Sequence, residues 1–223
     1  MSTLTTILGT VTAGSEPAGG AATKEIVIAT AMAAVVTTAL LVLCAGHRSG
    51  RVKVLGWGAD LAAKVSGLPR WAALPLGLGG GALHIALLGM YWDISLHIDQ
   101  GRDPGPLANP AHYLILIGLF GIFAAGVIAI ALPEAGERPG LRSVRIAEDW
   151  HAPVGGILMA ACGGFALIGF PLDDMWHRLF GQDVTLWGPT HLMLIGGAGM
   201  TLIGQAVLTA EGMTARAGGA GSP

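Results

Sequence analysis

The chain is predicted to be an all-α integral membrane protein with five transmembrane helices. Of its 223 residues, 52% are hydrophobic and 12% are charged, whereas about a quarter of the residues of a soluble domain are charged. Five uncharged segments are each close to the ~20 residues that cross a hydrocarbon core of roughly 30 Å. Backbone groups in lipid must bond within their own segment, so these segments are predicted to be helices. They are residues 26–46, 71–92, 111–132, 152–172 and 190–210.

The spans divide the chain into seven regions. The second and third spans form one helix-loop-helix unit, and the fourth and fifth spans form another. The predicted regions are an N-terminal arm (1–23), a first transmembrane helix (24–46), a connection (47–70), a first helix-loop-helix unit (71–132), a loop (133–151), a second helix-loop-helix unit (152–210) and a C-terminal tail (211–223).

The connection 47–70 is predicted to contain a short amphipathic helix. Its apolar residues recur at helical spacing with charged residues between them, a pattern that is typical of a helix on the membrane surface. An ordinary solvated loop is the alternative. The apolar residues are Val54, Trp57, Leu61, Val65 and Leu68, and the charged ones between them are Lys53, Asp60 and Lys64.

Lysine and arginine residues predict the orientation in the membrane. Five of them lie in the connection 47–70 and three in the loop 133–151. The arm, the residue that follows it and the two loops within the units hold only Lys24, Arg102 and Arg178. Because cytoplasmic loops carry an excess of these residues, the arm and both unit loops are expected outside and the C-terminus in the cytoplasm. The net charge of −2 does not suggest nucleic acid as a partner. The expected partners are the lipid bilayer and other membrane subunits.

Small residues at four-residue intervals are expected to let the helices approach one another closely. Such residues are Gly77 and Gly81, Gly121 and Ala125, and Gly156, Ala160 and Gly164.

One polar motif occurs twice, each time between the two spans of a helix-loop-helix unit. The two copies keep every spacing up to the second aspartate and need a single gap before the proline. The units are therefore predicted to be a tandem repeat with the same orientation, which places both motifs at the same depth. The first copy is Asp93, His97, Gly101, Asp103, Pro110 and His112, and the second is Asp173, His177, Gly181, Asp183, Pro189 and His191.

The residue types and spacings of the motif indicate a metal site. Asp93 and His97 are four residues apart, as are Asp173 and His177. If the helix of each span continues through the pair, both side chains project from the same helix face. The histidine that starts the returning helix, His112 or His191, can supply a third ligand. Two histidines and one carboxylate leave coordination positions open, as in mononuclear iron sites, and imidazole also suits copper and zinc. Interfacial hydrogen bonding is the alternative.

Three further polar residues are expected to support the metal sites or to act apart from them, rather than to bind metal. Asp103 and Asp183 occupy equivalent positions and are expected either to orient an imidazole or to cap the following helix. His84 lies nine residues before Asp93, which places it roughly 13 Å deeper and on the opposite helix face. It is therefore expected to act outside the first triad, either as a proton relay or as a hydrogen-bonded interface residue.

The second copy resembles a known metal-binding segment. The run from Asp173 through Trp176, His177, Asp183, Thr185, Pro189, Thr190 and His191 is similar to the copper-binding segment of the C subunit of membrane-bound copper monooxygenases, the particulate methane and ammonia monooxygenases. The resemblance implies that Asp173, His177 and His191 bind copper, with Asp93, His97 and His112 as a second or degenerate set. This chain has one more residue between the two histidines than that family.

Three kinds of function follow from these observations. The resemblance implies a subunit of a copper-dependent membrane monooxygenase that oxidises a small apolar substrate with O2. A membrane copper carrier or metal assembly factor, or a purely structural subunit of a membrane complex, is the alternative.

Overall fold

The computed structural model describes residues 23–100, 107–140, 142–180 and 187–219, and the described part of the chain is almost entirely helical. The arm up to residue 22, with parts of both motif loops, lies outside the described residues. The elements are α1 (Thr23–Arg48), α2 (Val54–Ser66), α3 (Arg70–Gln100), α4 (Pro110–Ala131), β1 (Val144–Arg145), β2 (His151–Ala152), α5 (Val154–Phe180) and α6 (Pro189–Gly219).

Five of these helices are long and apolar enough to cross a membrane, which confirms the predicted number of spans. Together they fit an integral membrane protein. The segments are Lys24–Arg48, Arg70–Asp99, Pro110–Ala131, Val154–His177 and Pro189–Gly218. The remaining helix, α2, is too short to cross a membrane. It confirms the helix predicted within the connection 47–70.

Three helices extend past the apolar segments from which they were predicted. Helix α3 continues eight residues beyond Trp92 to Gln100, and α5 continues from Leu172 to Phe180. Helix α6 runs to Gly219, so the described part of the predicted tail, residues 211–219, is helical. Loss of hydrophobicity marks the end of an apolar span, but it does not end a helix whose polar residues can still form backbone hydrogen bonds.

Helices α3 and α4 pack against each other, as do α5 and α6, and α4 also packs against α5. Glycines allow both pairs to approach closely, because a Cβ atom at these positions would meet the backbone or Cβ atoms of the facing helix. The facing pairs are Gly89 with Ile115, Gly118 with Ala86, Gly169 with Leu194 and Gly197 with Ala166.

The expectation about Gly77 and Gly81 is wrong for contacts within the described chain. A Cβ atom on either residue would have no neighbour within 4 Å. The four-residue spacing identifies a helix face made of small residues, but it does not show whether another helix packs against that face. In contrast, Gly121 lies against Ala82 and Gly156 lies against Ala129, as expected for helix contacts.

The buried core lies toward the end of the bundle where α1 ends and α3 begins. It includes Leu55 and Ala59 of α2, Trp71 of α3, Met159 of α5 and Leu208 of α6. At this end, Glu211 accepts hydrogen bonds from the backbone N–H groups of Val154 and Gly155 at 2.9 and 3.0 Å. The carboxylate accepts hydrogen bonds from N–H groups that have no partner within the helix, and its negative charge interacts favourably with the positive end of the helix dipole. Both effects stabilise the start of α5 at this position.

Helix α1 stands at the edge of the bundle, where it contacts α2 and α4. Arg48 donates from Nη1 to the carbonyl oxygens of Ala131 and Pro133 at 3.3 and 2.9 Å, and its guanidinium lies 4.2 Å from the ring centre of Trp150. At the other end of α1, Glu25 accepts a hydrogen bond of 3.1 Å from the backbone N–H of Leu107. The start of α1 and the first motif loop therefore lie at the same end of the molecule.

Candidate metal centre

The second copy of the motif brings one carboxylate and two imidazoles together where α5 ends and α6 begins. Asp173 and His177 are four residues apart on α5, so both side chains leave the same face. Pro189 starts α6, where its missing N–H needs no partner, and His191 follows in the first turn. The Nε2 atom of His177 lies 3.3 Å from Asp173 Oδ2, and that of His191 lies 3.4 Å from Asp173 Oδ1.

The donor set and its spacing fit a metal ion. Each of the three residues offers one ligand atom, and these atoms all lie within 4.8 Å of one another. Bonds of about 2.0–2.2 Å to nitrogen and oxygen place tetrahedral ligand atoms roughly 3.3 Å apart. Each imidazole nitrogen lies at about this distance from one oxygen of Asp173, His177 from Oδ2 and His191 from Oδ1. The three side chains are 18–21% exposed, so the site is neither sealed nor freely solvated.

Thr190 holds the carboxylate in place. Its hydroxyl donates a hydrogen bond of 2.6 Å from Oγ1 to Asp173 Oδ1, and the residue is 6% exposed. A buried donor of this kind restricts the rotation of a ligating carboxylate and thereby orients it for a metal.

The first copy of the motif also converges, but on a single oxygen. Asp93 Oδ1 lies 3.0 Å from His112 Nε2 and 3.5 Å from His97 Nδ1, and it accepts a hydrogen bond of 2.6 Å from Asn109 Nδ2. Asn109 also caps α4, because its Oδ1 accepts a hydrogen bond from the backbone N–H of Ala111.

The two copies differ in the nitrogen that each helix histidine presents. His97 Nδ1 lies 2.9 Å from the backbone oxygen of Asp93. A carbonyl oxygen only accepts hydrogen bonds, so this contact places the proton on Nδ1 and leaves that atom no lone pair for a metal. His177 instead directs Nε2 at its aspartate. Among the residues that the structure describes, three ligand atoms come within 4.8 Å of one another only in the second copy.

Both clusters lie at the same end of the bundle. The ring of His112 packs edge-on against Phe170, with ring centres 5.3 Å apart. Phe170 is three residues before Asp173 on α5, so this contact joins the surroundings of the first cluster to those of the second.

No protein-family model matches the chain, and no curated protein or solved structure matches it.

The remaining predicted residues lie elsewhere. His84 has Nδ1 2.7 Å from the carbonyl oxygen of Gly80, one turn earlier on α3, and its side chain is exposed, so it belongs to neither cluster. Asp103 and Asp183 fall outside the described residues.

Sequence reasoning missed the roles of Asn109 and Thr190. An asparagine directly before Pro110 is a usual helix-capping signal, which could have indicated Asn109 as a cap. Its second bond, to Asp93, required the tertiary structure. Thr190 stands directly beside Pro189 at a helix start, and nothing in that placement indicates that its hydroxyl faces Asp173.

Proposed function

We propose that Asp173, His177 and His191 bind a transition-metal ion at one end of the membrane bundle. The observation that carries this proposal is the mutual approach of three ligand atoms from two helices to within 4.8 Å. In α5 the ligands occupy one helix face, and in α6 the proline fixes the start of the helix that supplies the third ligand. Thr190 fixes the carboxylate between the two imidazoles.

We propose copper as the bound metal, with zinc and iron as the competing ions. Two imidazoles and one carboxylate suit all three metals, and the resemblance of the segment 173–191 to copper monooxygenase subunits favours copper. A competition experiment between Cu²⁺, Zn²⁺ and Fe²⁺ on the purified protein would rank them.

On this basis, the chain is proposed to be a subunit of a membrane-bound copper monooxygenase-like complex that oxidises a small apolar substrate with O2. Copper would supply the redox chemistry that O2 activation needs, and the set of three ligands leaves coordination positions for other molecules. The residues of this chain would hold and orient the ion, while the apolar helices around the site would favour an apolar substrate. Other membrane subunits would complete the complex.

The two helix-loop-helix units are further proposed to be a tandem repeat related by an axis along the membrane normal. Two glycine contacts support this proposal in addition to the motif itself. Gly169 follows Gly89 by the same 80 residues that separate Asp173 from Asp93, and each glycine lies against the facing helix of its own unit. Likewise Gly197 follows Gly118 by the 79 residues that separate His191 from His112.

The proposed orientation places the start of α1 and both motif loops outside and the C-terminus in the cytoplasm. The contact between Glu25 and Leu107 supports a common side for the first two. The distribution of lysine and arginine supports the outer assignment.

The metal site is tested by elemental analysis of the detergent-purified protein. We expect about one equivalent of copper in the wild type and its loss when His177 and His191 are both changed to Ala. The matched control changes His97 and His112 to Ala, which removes the equivalent rings from the first copy and should leave the metal in place. Absence of metal from the wild type after copper loading would contradict the site.

The monooxygenase assignment has its own test. The protein is purified in mild detergent with its associated subunits, and O2-dependent oxidation of short alkanes and ammonia is measured. Turnover that is lost in His177→Ala supports a catalytic subunit. Retained turnover in that variant contradicts it, and copper that exchanges freely without turnover would favour the carrier instead.

A further inference from the structure

Helix α2 lies beside the ends of the membrane-spanning helices, at the level expected for the bilayer surface. Residues 49–53 connect it to α1, and residues 67–69 connect it to α3. Both of its ends are therefore tied by short loops to helices that can cross the membrane. Gly58 faces the side chain of Leu74, which lies in the second turn of α3. Helix α2 is therefore level with the end of a span, at the end of the bundle opposite the metal centre.

The helix turns its most apolar face away from the protein. Trp57 is 70% exposed and Val65 is 83% exposed. Val54 and Leu61 lie on the same stripe, because these four residues recur at intervals of three and four. The opposite face is buried against the bundle through Leu55, Gly56 and Ala59.

Arg70 fixes this orientation. Its Nε lies 2.8 Å from Asp60 and its Nη1 lies 3.0 Å from Glu134, while Nη2 donates to the carbonyl oxygen of Gly56 at 3.4 Å. These contacts join α2 to the start of α3 and to the loop after α4. They also balance the charge of Asp60, which is the single carboxylate on α2.

Exposed cations flank the apolar stripe. Lys53 and Lys64 are eleven residues apart, which is close to three helical turns, so they lie on one side of the stripe beside Trp57. Arg51 is exposed just before the helix, and the exposed Arg216 of α6 lies against Gly67 at its end. A tryptophan-containing apolar face bordered by lysines is the usual composition of a helix in the headgroup region.

We propose that α2 inserts its apolar stripe into the bilayer surface and binds anionic phospholipid headgroups through Lys53 and Lys64. The occupant is the lipid surface that already surrounds the adjacent spans, and the lysines provide the complementary charge. This interaction does not depend on the metal centre, which lies at the other end of the helices.

A labelled variant tests the insertion. Val65→Cys, in a background with Cys44→Ala and Cys162→Ala, carries a polarity-sensitive fluorophore in nanodiscs of phosphatidylcholine with or without phosphatidylglycerol. Quenching by lipids with a shallow nitroxide, and protection from aqueous iodide, are expected. Ser49→Cys, in the loop before α2, is the matched control and should be open to iodide. Iodide access at Val65→Cys equal to that control would overturn the insertion.

A second measurement tests the headgroup preference. Quenching of the Val65→Cys label by nitroxide-labelled phosphatidylglycerol is compared with quenching by labelled phosphatidylcholine at equal density. Changing Lys53 and Lys64 to Glu should reduce the preference for the anionic lipid by about tenfold or more, since each basic residue near the surface contributes about fivefold. Equal quenching by both lipids in the parent, or a preference unchanged by the charge reversal, would overturn anionic recognition. An unchanged Tm of the Lys→Glu variant in thermal unfolding verifies that the protein is folded.

Discussion

Thr190 donates a hydrogen bond of 2.6 Å to Asp173 and thereby links the first turn of α6 to the end of α5. Asn109 makes the corresponding bond of 2.6 Å to Asp93 in the first copy. The donors come from different positions, since Asn109 precedes the proline and Thr190 follows it. Each aspartate is thus held by a neutral donor at the start of the next helix, Asn109 as the cap of α4 and Thr190 in the first turn of α6.

Thr190→Val should weaken metal binding without removing a ligand. Valine has nearly the shape of threonine but no hydroxyl, so Asp173 loses the donor that orients it. Loss of such an outer partner typically lowers metal affinity by about 10- to 100-fold. Competition with a chromophoric chelator measures the effect. Thr190→Ser keeps the hydroxyl and should bind close to wild type, and equal affinity in Thr190→Val and wild type would contradict the role.

The sequence predicted that Asp173, His177 and His191 come together, because the information for this grouping is local. Asp173 and His177 share a helix face at a spacing of four, and the proline before His191 marks the start of the next helix. The hydroxyl of Thr190 could not be assigned in this way, because its role depends on the approach of two helices. The same limit applied to His97, whose spacing from Asp93 does not reveal which ring nitrogen faces the carboxylate.

The five long apolar helices were predictable because length and hydrophobicity identify segments that can cross a membrane. The ends of α3 and α5 were not, since both helices continue through charged residues after Asp93 and Asp173. The packing partners of the glycines were also beyond the sequence. Gly77 and Gly126 both lie in predicted spans, yet only Gly126 faces another helix of the described chain.

Gly126→Ala should destabilise the bundle, and Gly77→Ala should not. A Cβ atom on Gly126 would press on the backbone of Ala160 in α5, and overpacking of this kind typically costs about 1–3 kcal/mol. A Cβ atom on Gly77 meets nothing within 4 Å, and alanine favours a helix over glycine by roughly 0.5–1 kcal/mol. Thermal unfolding in detergent should give a lower Tm for Gly126→Ala alone. Equal Tm changes in the two variants would contradict the contact between α4 and α5.

Arg48→Ala should loosen the attachment of α1 to the rest of the bundle. The change removes the hydrogen bond to Ala131 at the end of α4, the hydrogen bond to Pro133 just after it, and the cation–π contact with Trp150. A loss of about 1–3 kcal/mol in unfolding free energy is expected. Arg48→Lys should recover part of it, because lysine cannot both stack and donate in two directions.

The control for this change is Arg51→Ala. Arg51 is exposed in the loop that follows α1, so its replacement should alter stability by less than about 0.5 kcal/mol. Denaturant titration of the three variants in the same detergent gives the comparison. Copper content should remain at the wild-type value in all of them, since Arg48 lies at the opposite end of α1 from the first motif loop. An unchanged unfolding free energy in Arg48→Ala would show that the contacts do not stabilise the bundle.

The proposed orientation predicts opposite labelling at the two ends of the bundle. Ala108 is exposed beside the first motif cluster, and Ser49 is exposed where α1 ends. With Cys44 and Cys162 replaced by Ala, a single cysteine at position 108 should react with a membrane-impermeant maleimide in intact cells. A cysteine at position 49 should react only after the membrane is opened, because the cation-rich connection beside it is expected in the cytoplasm. The reverse pattern would invert the orientation and place the metal centre on the cytoplasmic side.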